Sequence, residues 1–538
     1  MEYITRGPCG QEGCRETRYY LDSGIWFCRR GHQQEGRQIE EDPEDFGKLG
    51  RISRVKRTAA EKIQKTFRGK EAYRLFVHAY QYVLWTQCHA LVHAKGYPAD
   101  LEVVVRDLWA LRLRSLVKKL DDLPEDDDDV QASSSQAASG IEAEFDDTRE
   151  QFMPRRPSST PRLVETLGLC YLGCLLLRLP TSVGDIYRLA MAGDIPYIRV
   201  VRSLPNDIKD RLPQVYLRQF DTPYLLTNER LHEVVNHLII MYHGEYGTDF
   251  PPLNAPLLLF EYIRQLSLPL EVYTVVRKLN QMLKFTYDFS LSSKATLRNL
   301  GFPELQLMAQ LVVATKLIFP FENTTKFPSS PSEPAAQSLD WKRWSQIRAD
   351  FAKKMTEGKI AKGRHILLEE DDVFDLTPEQ LDDYMDWYET RWLDTSKSHN
   401  PIAEMFRWSR PETTTASSAA APSSTEDDTN ERLAFVISSL RPVKSVKKKD
   451  RQEHPQPGTS YQQYQSEAEL PENARIFYEA AAELSGISLH SLVRAVVQVE
   501  VKLQEWMEDW RRAVYHGLIE ESSSEEEASE DTVLEAEE

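Results

Sequence analysis

Two tight pairs of candidate ligands, Cys9/Cys14 and Cys28/His32, constrain the start of this 538-residue chain more than any other feature constrains the rest. The stretch reads Cys-Gly-Gln-Glu-Gly-Cys, then thirteen residues, then Cys-Arg-Arg-Gly-His. Three thiolates and an imidazole fill a tetrahedral Zn²⁺ shell and leave no position for water, which makes such a site structural. Gly10, Gly13 and Gly31 put each pair in a turn, so one short loop can present two ligands. Between the pairs, Asp22-Ser23-Gly24 separates two short β-prone runs, a hairpin signal. Knuckle, hairpin, knuckle is the plan of a zinc ribbon, expected over residues 1–40 with one structural Zn²⁺. The alternative is four side chains that never meet a metal. Half of the six cysteines lying in the first 28 residues argues against it.

After the ribbon the charge alternates in blocks. An acidic linker, Glu35 to Phe46, leads into the basic part of an arm expected at 41–71: from Arg51 to Lys70, the bases Arg51, Arg54, Lys56, Arg57, Lys62, Lys65, Arg68 and Lys70 face a single acid, Glu61. Such a run is either a solvated linker or a segment that tracks phosphates or a charged cleft. Residues 121–150 carry a net charge of −11 and residues 520–538 one of −10, so the remainder stands at +3 against −18 overall. The acid is concentrated in an insert and a tail, and the overall charge is no argument against a nucleic-acid partner. Both acidic blocks are expected to be disordered, being poor in the apolar residues that offset chain entropy.

From Ala72 onward the pattern is helical. Ala72, Phe76, Ala79 and Val83 form one stripe, and Leu101, Val104, Leu108 and Leu111 form a second. Leu163 to Leu179 is apolar almost all round, as a helix at the centre of a bundle should be, and Pro180 stops it. Ser182 is placed to cap the next helix with Asp185 three residues on. Another short helix is expected near Ile195-Pro196. Five helices around a central one describe a cyclin fold. A second copy is suggested by an internal repeat, in which Pro98-x-x-Leu101-Glu-Val103 recurs as Pro269-Leu270-Glu-Val272. Its central helix falls at Glu304 to Ile318, stopped by Pro320.

These residues carry a family resemblance. The Cys-x4-Cys-x13-Cys-x3-His ribbon resembles that of the TFIIB-like subunit of the RNA polymerase I core factor. So do Phe67-Arg-Gly before the first helices, Leu268-Pro-Leu-Glu-Val and Leu317-Ile-Phe-Pro-Phe in the second copy. The resemblance runs from Cys9 to about Phe321. It implies zinc on Cys9, Cys14, Cys28 and His32, and a basic arm that contacts nucleic acid or polymerase. It further implies a factor that binds the ribosomal DNA core promoter and recruits RNA polymerase I, with other core-factor subunits and the TATA-binding protein as partners. Location in the nucleus and nucleolus follows, with neither a membrane nor a small-molecule substrate.

The expected class is therefore mainly α. The ribbon and arm are followed by a first cyclin-like repeat at 72–205, with a disordered acidic insert at 121–160. An inter-domain helix and linker follow at 206–253. A second repeat occupies 254–400, with a linker insert at 323–340. A disordered linker fills 401–470, C-terminal helices 471–518, and an acidic tail 519–538. No enzyme is expected, because no phosphate loop, nucleophile elbow or dinucleotide fingerprint is present. His232-Glu-Val-Val-Asn236-His237 fails as a zinc-protease motif, since a five-residue step turns the second His about 140° away. That stretch is expected to be a surface helix. One competing function is weighed: Ile63-Gln64 to Gly69 opens like an IQ motif of a calmodulin-binding adaptor, but Tyr73 stands where the pattern wants a base.

Overall fold

In the computed structural model, residues 4–5, 9, 14–22, 25–32, 66–121, 160–222, 225–291, 300–322, 327–328, 330, 333–356, 358–392, 423–446, 458 and 461–516 are described. The chain divides into two units, Met1–Ile63 and Gln64–Glu538. In the first, β1 (Ile4–Thr5), β2 (Arg18–Asp22) and β3 (Ile25–Cys28) form an antiparallel sheet in the order β1-β2-β3. Asp22 pairs with Ile25 at the hairpin end of β2 and β3.

The second unit is helical. Around α3 (Leu163–Leu176) pack α1 (Gly69–His89), α2 (Asp100–Asp121), α4 (Val183–Met191) and, after two short helices α5 (Asn206–Arg211) and α6 (Gln214–Leu217), α7 (Asn228–Tyr246). Nearly every residue of α3 is buried, the physical consequence of its all-round apolar sequence. Ser182 caps α4 as expected: its Oγ accepts from Asp185 N–H while the Asp185 carboxylate accepts from Ser182 N–H at 2.8 Å. No helix starts at Ile195; the chain turns there and makes a 3₁₀ turn at Val200–Ser203.

The second copy repeats this plan around α10 (Pro303–Ile318), packed by α8 (Ala255–Leu266) and α9 (Glu271–Leu283). Its register against the first copy differs from the letter repeat. Leu270 is 59% exposed, whereas Val272, Val276 and Leu279 are buried. These match Leu101, Val105 and Leu108 of α2 in spacing and burial. The shared letters are thus two residues out of step with the shared packing. In α2 itself the buried face runs through Val105 and Arg112 rather than Val104 and Leu111, because the Arg112 guanidinium reaches Glu165 of α3 at 3.2 Å.

Three expectations need correction. The stretch around His232 is not a surface helix: α7 buries Leu231, His232, Val235, Asn236, Leu238, Ile239 and Tyr242, and only His237 and its neighbours on that face stay exposed. Part of the expected 323–340 linker is packed, with Ala335, Ala336 and Leu339 buried and β4 (Gln337–Ser338) paired to β5 (Arg441–Pro442). Within the expected 401–470 linker, α13 (Ser423–Ser438) lies along α11 (Trp341–Thr356). Val436 is buried there, and Arg432 reaches Ser267 Oγ at 2.8 Å. Inside the span expected for the second copy, α12 (Pro378–Trp392) docks on residues 193–202 of the first.

The C-terminal pair α14 (Glu472–Ser485) and α15 (Leu489–Tyr515) ties the two copies together. It packs on α10, and α14 also packs on α4. The second contact needs two glycines: a Cβ on Gly184 would lie 2.4 Å from the Leu484 carbonyl, and Gly486 holds a positive φ of 66° beside it. His232 Nε2 lies 3.1 Å from Ser485 O, adding a bond from α7 to α14. Lys316 of α10 meets Glu500 of α15 at 2.7 Å, both nearly fully buried, and its ammonium sits 4.6 Å from the rings of Tyr461 and Tyr464.

At the seam between the copies, Tyr171 Oη donates to buried Glu304 at 2.7 Å, and the Val183 N–H donates to it at 3.1 Å. Burial pushes the Glu304 carboxyl up to about 8 despite those two donors. A carboxyl whose folded pKa exceeds its unfolded value contributes stability that is full below the unfolded value and is lost as pH rises through the folded one. Urea unfolding of wild type and Glu304→Gln between pH 4.5 and 8.5 should therefore diverge. The wild type loses stability relative to the variant as pH rises and levels off above about pH 8. Parallel curves would show that Glu304 does not titrate in that window.

Candidate metal centre

The hairpin is what gathers the ligands. Cys28 closes β3 directly opposite Tyr19 of β2, so both side chains lie on one face of the sheet. Cys9 is tied to the start of the hairpin by its N–H to Glu16 O at 3.0 Å. The second knuckle turns on Gly31, with φ 87° and its N–H on Cys28 O at 2.7 Å, and this brings His32 back over Cys28. The His32 N–H then points at Cys28 Sγ at 3.4 Å, a backbone donor for a thiolate.

The donor atoms of Cys9, Cys14, Cys28 and His32 all lie within 4.8 Å of one another, with the three cysteines buried and His32 half-buried. His32 Nδ1 is 3.5 Å from Cys28 Sγ and 3.9 Å from Cys9 Sγ. Zn–S and Zn–N bonds of about 2.3 and 2.0 Å at the tetrahedral angle require roughly 3.6 Å between sulfur and nitrogen. The donor set and its spacing fit one Zn²⁺. Burial pushes the Cys28 thiol up, yet the N–H groups of His32 and Arg30 outweigh it and hold its pKa below the ordinary value. Around Cys14, the Glu16 N–H lowers the pKa, but burial and the neighbouring Cys9 and Cys28 together raise it. Three clustered cysteine sulfurs beside an imidazole nitrogen make a donor set suited to one cation. Tyr19, 1% exposed against the thiols, went unnoticed in the sequence; its period-two relation to Leu21 and Leu21's partner Trp26 was the available sign.

Of the basic arm, Arg51, Arg54, Lys56, Arg57, Lys62 and Lys65 lie outside the described residues. Arg68 is exposed just before α1 and Lys70 is half-buried in its first turn. The arm's last residues are fixed, with Phe67 N–H on Arg211 O at 2.9 Å and the Arg211 guanidinium 5.9 Å from its ring. Tyr73, where an IQ motif needs a base, is buried between the rings of Phe76 and Tyr216. Residues 122–159 of the acidic insert, residues 401–422, 447–457 and 459–460 of the linker, and the tail also lie outside the described residues.

Comparison with known proteins matches this layout piece by piece. Residues 3–36 match the family model described as the zinc finger of RNA polymerase I-specific TFIIB, Rrn7. Residues 80–206 and 224–392 match the N-terminal and C-terminal cyclin domains of Rrn7/TAF1B. The chain is 25% identical over 73% of its length to the RNA polymerase I-specific transcription initiation factor rrn7 of Schizosaccharomyces pombe, covering 77% of that protein. It is 20% identical over 75% of its length to the factor of that name in Saccharomyces cerevisiae, covering 78% of it. A TATA box-binding protein-associated factor of RNA polymerase I from Danio rerio is 22% identical over 61% of the chain and 63% of that protein. Among solved structures, the S. cerevisiae core factor crystal structure shares the fold with a TM-score of 0.50 at 16% identity, covering 82% of this chain and all of that one.

Proposed function

We propose, from the premise that the chain belongs to the Rrn7/TAF1B family of TFIIB-like factors, that it is an RNA polymerase I-specific transcription initiation factor and a core-factor subunit. It binds the ribosomal DNA core promoter, recruits RNA polymerase I, and works in the nucleus and nucleolus beside other core-factor subunits and the TATA-binding protein. The observation that carries this reading is the order of parts: a ribbon, a basic arm, and two helical copies locked into one body by α14 and α15.

Each part suggests a task. Cys9, Cys14, Cys28 and His32 would hold a structural Zn²⁺, which supplies folding energy to the ribbon and no reaction chemistry. The ribbon then offers a preformed surface to the polymerase. The arm, eight bases against one acid, follows phosphates or enters a charged cleft. The helical copies, rigid at the Glu304 seam, hold DNA and partner subunits at a fixed spacing. A factor built this way acts by holding polymerase and promoter together, so we assign it no catalytic residue.

The test is promoter-complex assembly from purified polymerase I, partner subunits and this chain on a ribosomal core promoter, titrated with salt. Neutralising Arg51, Arg54, Lys56 and Arg57 should weaken assembly and flatten the log–log salt slope by about 0.9 for each phosphate no longer neutralised. An unchanged slope would return the arm to a solvated linker. Assembly that proceeds equally well without the chain would remove the functional reading altogether.

A further inference from the structure

Residues 369–389 hold ten acids and no Lys, Arg or His. They are also firmly placed. The His365 ring meets Asp383 Oδ2 at 2.9 Å and stacks on Trp387 at 5.4 Å, and the Ile360 N–H donates to the same carboxylate oxygen at 3.2 Å. Two arginines of the first copy hold the C-terminal end of α12. Arg202 donates to the carbonyls of Thr390 and Arg391 at 2.8 and 2.6 Å. Arg199 donates to that of Trp392 at 3.1 Å, with its guanidinium 4.6 Å from the Trp392 ring. Cations at a helix C-terminus are where the helix dipole favours them.

With its inner side fixed, α12 turns an apolar stripe outward. Leu381, Met385 and Tyr388 follow i, i+4, i+7 and are all exposed, Met385 by 56%. Asp382, Asp386 and Glu389, also exposed, run beside them. Phe374, in the 3₁₀ turn just before α12, is 88% exposed among Asp371, Asp372 and Asp375. A helix bound this tightly, with a stripe of large apolar side chains that no described residue covers, presents an interaction surface. The charge decides what kind. Ten carboxylates repel phosphate, which excludes nucleic acid and anionic lipid. They attract a protein face that is basic and carries apolar clefts. Minor-groove DNA-binding proteins have such a face, with Lys and Arg for the phosphates and apolar wedges for the base steps.

We propose that the acidic and aromatic ledge of residues 366–392 docks the DNA-binding face of a basic minor-groove protein, its carboxylates standing where phosphates would and its exposed rings where bases would. The D. rerio relative carries the TATA box-binding protein in its name, and that protein is the probe of choice. The proposal deepens the partner part of the function proposed above and rests on it. It implies that duplex DNA and the ledge compete for one face, so docking precedes DNA loading and ends with it.

The full-length chain carrying a photoreactive benzoylphenylalanine at position 385 is irradiated with purified TATA-binding protein. The expected result is a crosslink to that protein that fades when TATA duplex is added. The variant Asp382→Asn/Asp386→Asn/Glu389→Gln should lower capture by roughly tenfold at low salt, while Asp382→Glu preserves it. Three results would overturn the proposal: equal capture by the triple variant, capture that excess duplex leaves untouched, or a crosslink that lands on residues 397–410 of the same chain. The last would mean that Phe406 and Trp408 cover the stripe. The same preparations are assayed for promoter-directed synthesis by polymerase I. Failure of wild type there counts against the initiation-factor reading itself, independently of where position 385 crosslinks.

Discussion

Cys28→Ser should abolish zinc binding and unfold the ribbon while the helical unit melts as in wild type. Apart from its metal ligands, the ribbon shows little to fold around: among the described residues its buried side chains are Cys9, Cys14, Tyr19 and Cys28, three of them ligands. Below about 40 residues a domain depends on such a staple. Apparent zinc-binding energy in sites of this type is about 10–16 kcal/mol, and it is folding energy because no preformed site exists in the unfolded chain. Losing one thiolate also removes the acceptor of the His32 N–H. Wild-type protein purified without chelator should hold one equivalent of zinc by elemental analysis, and the variant much less than one. Amide exchange should rise throughout residues 4–32 of the variant and stay unchanged from α1 onward. A wild type without zinc, or a variant that keeps ribbon protection, contradicts this account of the site.

Deleting residues 1–70 should separate two activities. The helical unit contains its own core, from Tyr73 of α1 to Val499 of α15, with the copies joined at Glu304, Gly184 and Lys316. Every residue of that core lies after residue 70, and the deletion removes the contact of Phe67 with Arg211 at its edge. The truncated chain should therefore still assemble with its partner subunits and bind promoter DNA close to wild-type affinity. Recruitment of polymerase I, or a step just after it, should fail, with loss of nearly all promoter-directed transcripts. Gel-shift and single-round transcription on one template read the two effects together. Loss of both would place the ribbon and arm in the DNA-binding body; retention of both would make them dispensable.

How much of this was legible in the sequence depends on how far apart the determining residues lie. The ribbon's ligands and hairpin were legible, because Cys9 to His32 holds them within one short stretch, whereas β1 and the buried Tyr19 were not. The two central helices were equally plain. Leu163 to Leu179 is apolar almost all round, Glu304 to Ile318 is rich in apolar residues, and each is stopped by proline. The repeat linking them was seen but misaligned, since matching letters drew Leu101 onto Leu270 when packing sets it on Val272. Burial period, not identity, carries structural register.

The rest was hidden because it is non-local. That α7 would be buried depends on Ser485 and on Phe302, 253 and 70 positions away. The role of α14 and α15 depends on Gly184 and Gly486 meeting across the two copies, and a lone glycine pair has no one-dimensional signature. In 423–446, the low-complexity flanks masked a good amphipathic run, Leu433, Phe435 and Val436 among charges. The docking of α12 was hidden for a similar reason. Its inner contacts come from Arg199 and Arg202, which precede it by nearly two hundred residues.

The central claim is that this chain brings RNA polymerase I, and no other polymerase, to its promoter. Rapid depletion of the protein followed by pulse labelling of nascent RNA tests it most directly. The account predicts that ribosomal RNA precursor synthesis stops at initiation, with polymerases already elongating running off, while messenger RNA synthesis continues at first. Continued precursor synthesis, or an equally early loss of messenger RNA synthesis, would contradict it.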